Sequence, residues 1–150
     1  RLLNIICKEE YKDYKFTVVL GRAKFNVEEL LKYNVYDNIE VLYDVANMPE
    51  LMSSCDIGVT SRGRTGYELA MLGIPTIAMA QNKREEKHGF VCNENGFDYI
   101  GLNPEDEVIE ANLKMYLSMG ERGRKKYQEM LLKHDLRNGR KRVMALINNL

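Results

Sequence analysis

The sequence contains few cysteines and prolines and lacks tryptophan. It has no tryptophan, and only three cysteines and three prolines among 150 residues. Cys7, Cys55 and Cys92 are scattered, without a Cys-x-x-Cys spacing, which argues against a disulfide framework and against a zinc site. Because chains without disulfides are typical of reducing compartments, we expect a cytoplasmic protein.

Two further absences exclude whole classes of protein. No apolar run approaches the roughly 18 residues that a membrane span requires, and no signal-peptide pattern opens the sequence. The 22 basic and 22 acidic residues give a formal net charge of +0, whereas nucleic-acid-binding domains normally carry a basic excess. We therefore expect no membrane span and no nucleic-acid partner.

What is present is the composition of an ordinary globular domain. Apolar residues make up 45% and charged residues 29%, both close to the averages of globular proteins. The chain is long enough to bury one core, and it contains no internal repeat and no Pro- or Ser-rich linker. We expect residues 1–150 to form a single domain. Because Arg1 falls inside a helical apolar pattern, we also expect the chain to be part of a longer one.

Short apolar runs alternate with helical patterns along the chain. Five runs predict β-strands, at 16–20, 39–42, 56–60, 76–79 and 99–102. Apolar spacing predicts helices at 1–8, 27–33, 48–54, 65–72, 103–117, 121–132 and 137–150. Asn26 stands where it can cap the second helix, and Gly73 where it can end the fourth. This alternation indicates parallel βαβ units, so we expect an α/β fold with a doubly wound parallel sheet.

The turn after the third predicted strand is the segment best suited to bind a ligand. In a parallel sheet, ligands bind beyond the carboxyl ends of the strands, and Ser61 lies at such an end, shortly before a helix. A helix N-terminus offers free amides to phosphate oxygens, and Gly63 lets the backbone approach them closely. Arg62 and Arg64 add fixed positive charge, and Thr65 adds a hydroxyl. The pattern is therefore typical of a phosphate site.

At Glu68 the sequence permits a nucleotide site or a purely structural motif. One helical turn beyond Thr65, the Glu68 carboxylate is placed to accept two hydrogen bonds from the vicinal hydroxyls of a ribose. However, Thr65 and Glu68 also match a capping box, in which Thr65 caps the helix and Glu68 bonds back to the Thr65 amide. The local sequence leaves both interpretations open.

The block from Asp56 to Pro75 resembles the C-terminal half of GT-B nucleotide-sugar enzymes. It has an Asp-led strand, a glycine-containing turn, and then Glu-Leu-x-x-Leu-Gly-x-Pro before the next strand. It is similar to the peptidoglycan N-acetylglucosaminyltransferase and to the UDP-sugar hydrolase of the pseudaminic-acid pathway. The segment 135–143 resembles domains fused behind acylneuraminate cytidylyltransferases. The resemblance implies a Rossmann-like sheet.

The resemblance also implies roles for individual residues. It assigns the diphosphate to Ser61, Gly63, Arg64 and Thr65, and the ribose to Glu68. It places Asp44 and Val45 where the family's backbone meets the base, and Asn82, Glu85 and His88 where the sugar lies. Two positions depart from the family pattern, because Lys83 replaces a usual Gln and the turn carries two arginines. The pattern identifies no catalytic residue, and we expect neither a metal nor a cofactor.

By this resemblance, the chain is the donor-site half of a glycosyltransferase or nucleotide-sugar hydrolase that makes bacterial surface glycans or sialic-acid-like sugars. The family's opening strand and entire N-terminal half are absent from the sequence, so we expect UDP-sugar binding without activity in this domain alone. An N-terminal half or a partner subunit would complete the enzyme, and a homodimer in which two copies share strands is a further hypothesis. Two alternatives remain, namely a non-catalytic regulatory or dimerisation module fused to an acylneuraminate cytidylyltransferase, and the donor-site subunit of a two-part glycosyltransferase.

Overall fold

The computed structural model describes residues 1–149, whose contacts divide into two compact units, Arg1–Met48 and the part from Pro49 onward. Each unit carries its own parallel sheet, with two strands in the first and three in the second. The predicted α/β class is therefore confirmed. That the two units make one domain stays a prediction.

The first unit is built on two parallel strands. These are β1 (Phe16–Leu20) and β2 (Ile39–Tyr43), with Phe16 opposite Ile39 and Leu20 opposite Tyr43. Two short helices accompany them, α1 (Leu2–Ile6) and α2 (Val27–Leu31), together with 3₁₀ turns at Glu9–Tyr11 and Lys32–Val35. The buried core of this unit consists of apolar side chains, namely Leu3, Ile5, Ile6, Tyr11, Leu20, Ile39 and Val41.

Asn34 occupies one edge of β2. Its side-chain amide donates to the Val41 carbonyl at 3.2 Å, and its Oδ1 accepts from the Val41 amide at 2.6 Å. Both backbone groups of Val41 are therefore satisfied by a side chain, as a neighbouring strand would satisfy them. Asn34 therefore blocks strand pairing at Val41 on this edge of β2.

Asn26 does not cap α2 as predicted. Its backbone is left-handed, with φ of 56°, and its side chain makes no capping hydrogen bond. Capping side chains act from an extended backbone, which aims the side-chain oxygen at the first free amides of the helix. The left-handed conformation, which Asn tolerates better than most residues, turns that oxygen away.

The second unit contains three parallel strands and five helices in its described part. Helix α3 (Met48–Ser53) crosses the boundary between the units. The strands are β3 (Gly58–Ser61), β4 (Thr76–Ala80) and β5 (Phe97–Leu102), in the order β3–β4–β5. The other helices are α4 (Thr65–Leu72), α5 (Asp106–Ser118), α6 (Glu121–Leu132) and α7 (Gly139–Asn148), and 3₁₀ turns lie at Glu85–Lys87 and Asn93–Asn95.

Strand β4 lies at the centre of this sheet. Ile77, Ala78 and Ala80 are no more than 1% exposed, as expected for a strand covered on both faces. A cluster of buried residues joins α4, β4, β5, α6 and the segment before the 3₁₀ turn at Asn93–Asn95, namely Ala70, Ala78, Val91, Phe97 and Leu131. Because neighbouring parallel strands end at one edge, the segments after β3 and β4 lie side by side.

Two glycines fix the position of α4. A Cβ atom on Gly66 would lie 2.6 Å from Cγ2 of the buried Val91, so only glycine permits this close approach. Gly73 ends the helix with φ of 70°, in the left-handed conformation predicted for it. Helix α4 therefore begins and ends where the sequence pattern indicated, at Thr65 and Leu72.

Other boundaries differ from the sequence prediction. Helix α5 begins at Asp106 rather than at residue 103, because Asn103 has a positive φ of 42° and Pro104 follows it. Helix α7 begins at Gly139 rather than at residue 137, and the predicted end at residue 150 lies outside the described residues. Among residues 1–149, no helix has the length and apolar character that crossing a membrane demands.

Candidate functional site

The turn between β3 and α4 has the geometry of an anion site. The Arg62 amide extends the sheet by donating to the Met79 carbonyl at 2.8 Å, and the Gly63 amide turns back to the Ser61 carbonyl at 2.8 Å. Helix α4 begins at Thr65 without a side-chain cap. Among the described residues, the amides of Arg64 and Thr65 have no acceptor, so both remain available to phosphate oxygens.

The capping box proposed from the sequence does not form. Thr65 is the first helical residue, and the cap position falls on Arg64, whose φ and ψ of −63° and −33° are already helical. Within residues 1–149, the exposed Glu68 carboxylate has no hydrogen-bond partner. Glu68 therefore makes no internal hydrogen bond or ion pair among the described residues, and its carboxylate is available to a ligand.

The two arginines of the turn have different environments. Arg64 is exposed and has no partner in the part of the chain that the structure describes. Arg62 is half-buried, and its Nε donates to the His88 carbonyl at 3.1 Å. Its Cζ lies 4.0 Å from the centroid of the Tyr99 ring, a cation–π contact. Arg64 is thus the arginine with a free guanidinium for an anion.

The segment after β4 folds around two side chains that bond to each other. The Glu85 carboxylate accepts from the Gln81 amide at 2.8 Å and from the Asn82 side-chain amide at 3.1 Å. The Asn82 Oδ1 accepts from the amides of Arg84 and Glu85, both at 3.1 Å. Asn82 and Glu85 therefore shape this segment, and each keeps further hydrogen-bonding capacity for a ligand.

His88 ends this segment. Its backbone amide donates to the Glu85 carbonyl at 3.1 Å, and its carbonyl accepts from Arg62. The half-buried imidazole has no hydrogen-bond partner within the described residues. The structure thus brings the predicted diphosphate residues and the predicted sugar residues together at the carboxyl ends of β3 and β4, joined by Arg62 and His88.

Asp44 and Val45 follow β2 in the first unit, as predicted. The Asp44 amide donates to the Leu20 carbonyl at 3.1 Å, whereas the Asp44 carbonyl and the Val45 amide have no hydrogen-bond partner among the described residues. The Asp44 carboxylate accepts from Nε of Arg22, with distances of 3.2 Å and 3.1 Å to its two oxygens. Sequence reasoning missed Arg22, because nothing local links residues 22 positions apart.

The site has a mixed electrostatic character. The pKa of Glu94, on the neighbouring turn, is lowered, chiefly by a hydrogen bond from its own backbone amide, then by Cys92, with a smaller contribution from Arg62. Within residues 1–149, no group of three His, Cys, Asp or Glu side chains could hold a metal ion. At the start of α4, the exposed Arg64 guanidinium and the amides of Arg64 and Thr65 are groups suited to an anion.

Other chemically active side chains lie elsewhere. The His134 ring packs edge-on against Phe90, with centroids 5.1 Å apart, which is a packing contact. Cys7, Cys55 and Cys92 are all free thiols, and Cys55 is exposed. No catalytic residue is identified among them.

Sequence comparison places the chain beside one archaeal protein. No protein-family model matches the sequence. An uncharacterised protein of Methanocaldococcus jannaschii is 36% identical over 95 residues, which cover 56% of this chain and 19% of that protein. The chain therefore spans about a fifth of the curated relative that it matches.

Structural comparison is more extensive. WaaG, a glycosyltransferase involved in lipopolysaccharide biosynthesis, matches with a TM-score of 0.68 and 18% identity, over 97% of this chain and 41% of WaaG. HepE of Anabaena, in complex with UDP and with UDP-glucose, matches with TM-scores of 0.67 and 0.66 and identities of 15% and 17%. Each HepE match covers 99% of this chain and 43% of HepE. The chain therefore has, over nearly its whole length, the Rossmann-like fold of GT-B glycosyltransferases.

Proposed function

We propose that this chain binds the nucleotide part of a UDP-sugar, as the donor-site half of a glycosyltransferase or nucleotide-sugar hydrolase. The observation that carries the proposal is the uncapped start of α4, where two amides, the Arg64 guanidinium and the Glu68 carboxylate all lack internal partners among the described residues. A phosphate grip beside an acceptor for a diol fits a nucleoside diphosphate. HepE, which shares the fold, binds UDP and UDP-glucose.

Each part of the ligand has its own residues in this proposal. Ser61, Gly63, Arg64 and Thr65 hold the diphosphate, where helix amides and a fixed cation stabilise the charge that develops on a leaving diphosphate. Glu68 holds the ribose hydroxyls. Backbone groups of Asp44 and Val45 meet the base. Asn82, Glu85 and His88 face the sugar.

The chain supplies a donor site rather than a whole enzyme. It spans about two fifths of WaaG and of HepE, so the acceptor site and the catalytic groups belong to other parts of the full protein or to a partner subunit. We place the reaction in the cytoplasm, in the synthesis of bacterial surface glycans or sialic-acid-like sugars. WaaG acts in lipopolysaccharide biosynthesis, which supports that choice of pathway class.

The donor-site subunit of a two-part glycosyltransferase is the second candidate. Helix α7 exposes four apolar side chains, Val143, Met144, Leu146 and Ile147, between 48% and 69% exposed. An apolar helix face of this kind suits a surface that another polypeptide covers. Purification with and without a coexpressed acceptor-site partner separates this candidate from a donor half covalently joined to its acceptor half. A donor-site subunit should copurify with that partner.

The test of the proposal is calorimetric titration of the chain with UDP, with CMP as the comparison ligand. We expect saturable binding of UDP and weaker binding of CMP. In Arg64→Ala, the affinity for UDP should fall much more than the affinity for uridine. Absence of binding by either nucleotide, together with a stable dimer, would instead favour a non-catalytic dimerisation module.

A further inference from the structure

We propose that Arg62 is a positioning residue that holds the segment 81–88 against the carboxyl end of β3. The proposal deepens the function proposed above, because this segment carries the sugar-facing residues Asn82, Glu85 and His88. Arg62 itself is assigned no ligand. Its role is to join the diphosphate turn to the sugar-facing segment.

The first observation is the way in which the Arg62 side chain is held. Its Nε donates to the His88 carbonyl at 3.1 Å, and its guanidinium carbon lies 4.0 Å from the centre of the Tyr99 ring. The Arg62 amide is fixed to the Met79 carbonyl at 2.8 Å. Arg62, which directly follows β3, therefore contacts β4, the segment after β4 and the face of a β5 side chain.

The second observation concerns the other hydrogen bonds of the segment. The side-chain hydrogen bonds join Gln81, Asn82, Arg84 and Glu85 to one another. The backbone amides of Lys87 and His88 donate to carbonyls within the segment. Within residues 1–149, the bond from Arg62 to His88 is the one hydrogen bond that ties 81–88 to another part of the chain. The segment is held together by its own hydrogen bonds, and among residues 1–149 the bond from Arg62 is its one hydrogen bond to other residues.

The chemistry of arginine suits this anchor. A guanidinium has five donors in a rigid plane, so it can donate to a carbonyl through Nε while its face lies on an aromatic ring. A lysine offers a point charge on a flexible stem and does not reproduce both contacts. Because the anchor is a charge-assisted hydrogen bond, its loss should increase the frequency with which the segment opens by about 10-fold or more.

The test compares Arg62→Met with Arg64→Met. Methionine keeps an unbranched apolar stem over Tyr99 but removes the donor, and Arg64 is the matched control because it has no internal partner in the described chain. Amide hydrogen exchange of peptides from 81–92, without ligand, should be about 10-fold faster in Arg62→Met and unchanged in Arg64→Met. Equal exchange in the two variants and the wild type would overturn the positioning role. Tyr99→Leu, which keeps the Arg62 donor, is the second variant should Arg62→Met fail to fold, and it should raise exchange by a smaller factor.

A binding readout separates positioning from general loosening. Arg62→Met should lower the affinity for UDP-glucose about 10-fold while changing the affinity for UDP less than about 3-fold. Arg64→Met should lower both affinities by the same factor. Equal losses of UDP-glucose and UDP affinity in Arg62→Met would overturn the link to the sugar. If the wild-type chain binds neither ligand, the proposed function fails and the sugar link with it, whereas the exchange comparison still decides whether Arg62 holds the segment.

Discussion

Nε of Arg22 lies 3.1 Å and 3.2 Å from the two carboxylate oxygens of Asp44, which stands at the end of β2 with a left-handed backbone. The pair joins the segment after β1 to the segment after β2. Tyr43 strengthens the same connection, because its hydroxyl donates to the Arg22 carbonyl at 3.0 Å. The Asp44 carboxylate is therefore engaged within the protein, so under the proposed function only backbone groups here would contact the base.

Replacement of Asp44 by Asn tests that division of roles. Asn tolerates a φ of 52° and removes only the charge, so Asp44→Asn should change the free energy of unfolding by less than about 1 kcal/mol, as is usual for exposed ion pairs. UDP affinity should stay within about 3-fold of the wild type, since the backbone is unchanged. Urea unfolding and UDP titration measure the two quantities. A tenfold loss of UDP affinity would show that the carboxylate itself contacts the ligand.

Gly66 and Gly63 should respond differently to the same substitution. A Cβ on Gly66 would lie 2.6 Å from Cγ2 of Val91, whose buried side chain has little room to move, so Gly66→Ala should destabilise the fold by about 1–3 kcal/mol. This exceeds the gain of up to about 1 kcal/mol that alanine normally brings to a helix. At Gly63 the nearest atom is the Ser61 Oγ at 3.6 Å, so Gly63→Ala should leave stability nearly unchanged.

The same two variants also test whether UDP binds close to the backbone at residue 63. The added methyl group at residue 63 stands where the backbone is expected to approach the diphosphate, so Gly63→Ala should weaken UDP binding while its melting temperature stays at the wild-type value. Thermal unfolding with and without UDP measures both effects. Equal UDP affinity in Gly63→Ala and the wild type would mean that the ligand does not approach this part of the turn.

Asp98 makes stability depend on pH. Its Oδ2 is buried and has no hydrogen-bond donor in the described part of the chain, and burial raises the pKa of this carboxyl. The proton therefore binds more tightly in the folded state. The stability linked to that proton is fully present below the ordinary pKa of about 4 and is lost as the pH rises through the raised folded value.

Comparison of the wild type with Asp98→Asn isolates this contribution. The stability of Asp98→Asn relative to the wild type should increase as the pH is raised from about 4 to 7, because only the wild type acquires a buried charge. Tyr116, which interacts with Asp98, stays neutral over this range, because its ordinary pKa of about 10 lies well above pH 7 and burial raises that pKa further. Denaturant unfolding at several pH values gives the difference directly. A stability difference that is constant with pH would contradict the account.

Local sequence signals predicted those parts of the fold that local interactions determine. The apolar run ending at Gly21 gave β1 its observed bounds, and Gly73 marked the end of α4. The fold class followed from the alternation of strands and helices. The capping box at Thr65 and Glu68 was a wrong alternative, because the same letters suit a cap and a free helix start, and only the backbone at Arg64 distinguishes them.

Local sequence signals did not predict contacts between residues that are distant in the sequence. Arg62 and Arg64 look equivalent in the sequence, yet Arg62 binds the His88 carbonyl 26 residues away and Arg64 is exposed. Cys55 directly precedes the third predicted strand, yet the structure leaves its thiol exposed. Its neighbour Asp56 is 82% exposed, and the strand itself begins only at Gly58.

Glu68→Ala tests the central claim most directly, because a ribose-binding role predicts a loss of UDP affinity and a purely structural role predicts none. If Glu68 holds the ribose, UDP affinity should fall by about 1–3 kcal/mol through the loss of charge-assisted hydrogen bonds. The free energy of unfolding should change by no more than about 1 kcal/mol, since Glu68 makes no capping bond and interacts only with the start of the helix. Calorimetric titration with UDP and urea unfolding of the same preparation measure both. Unchanged UDP affinity in Glu68→Ala would contradict the nucleotide site.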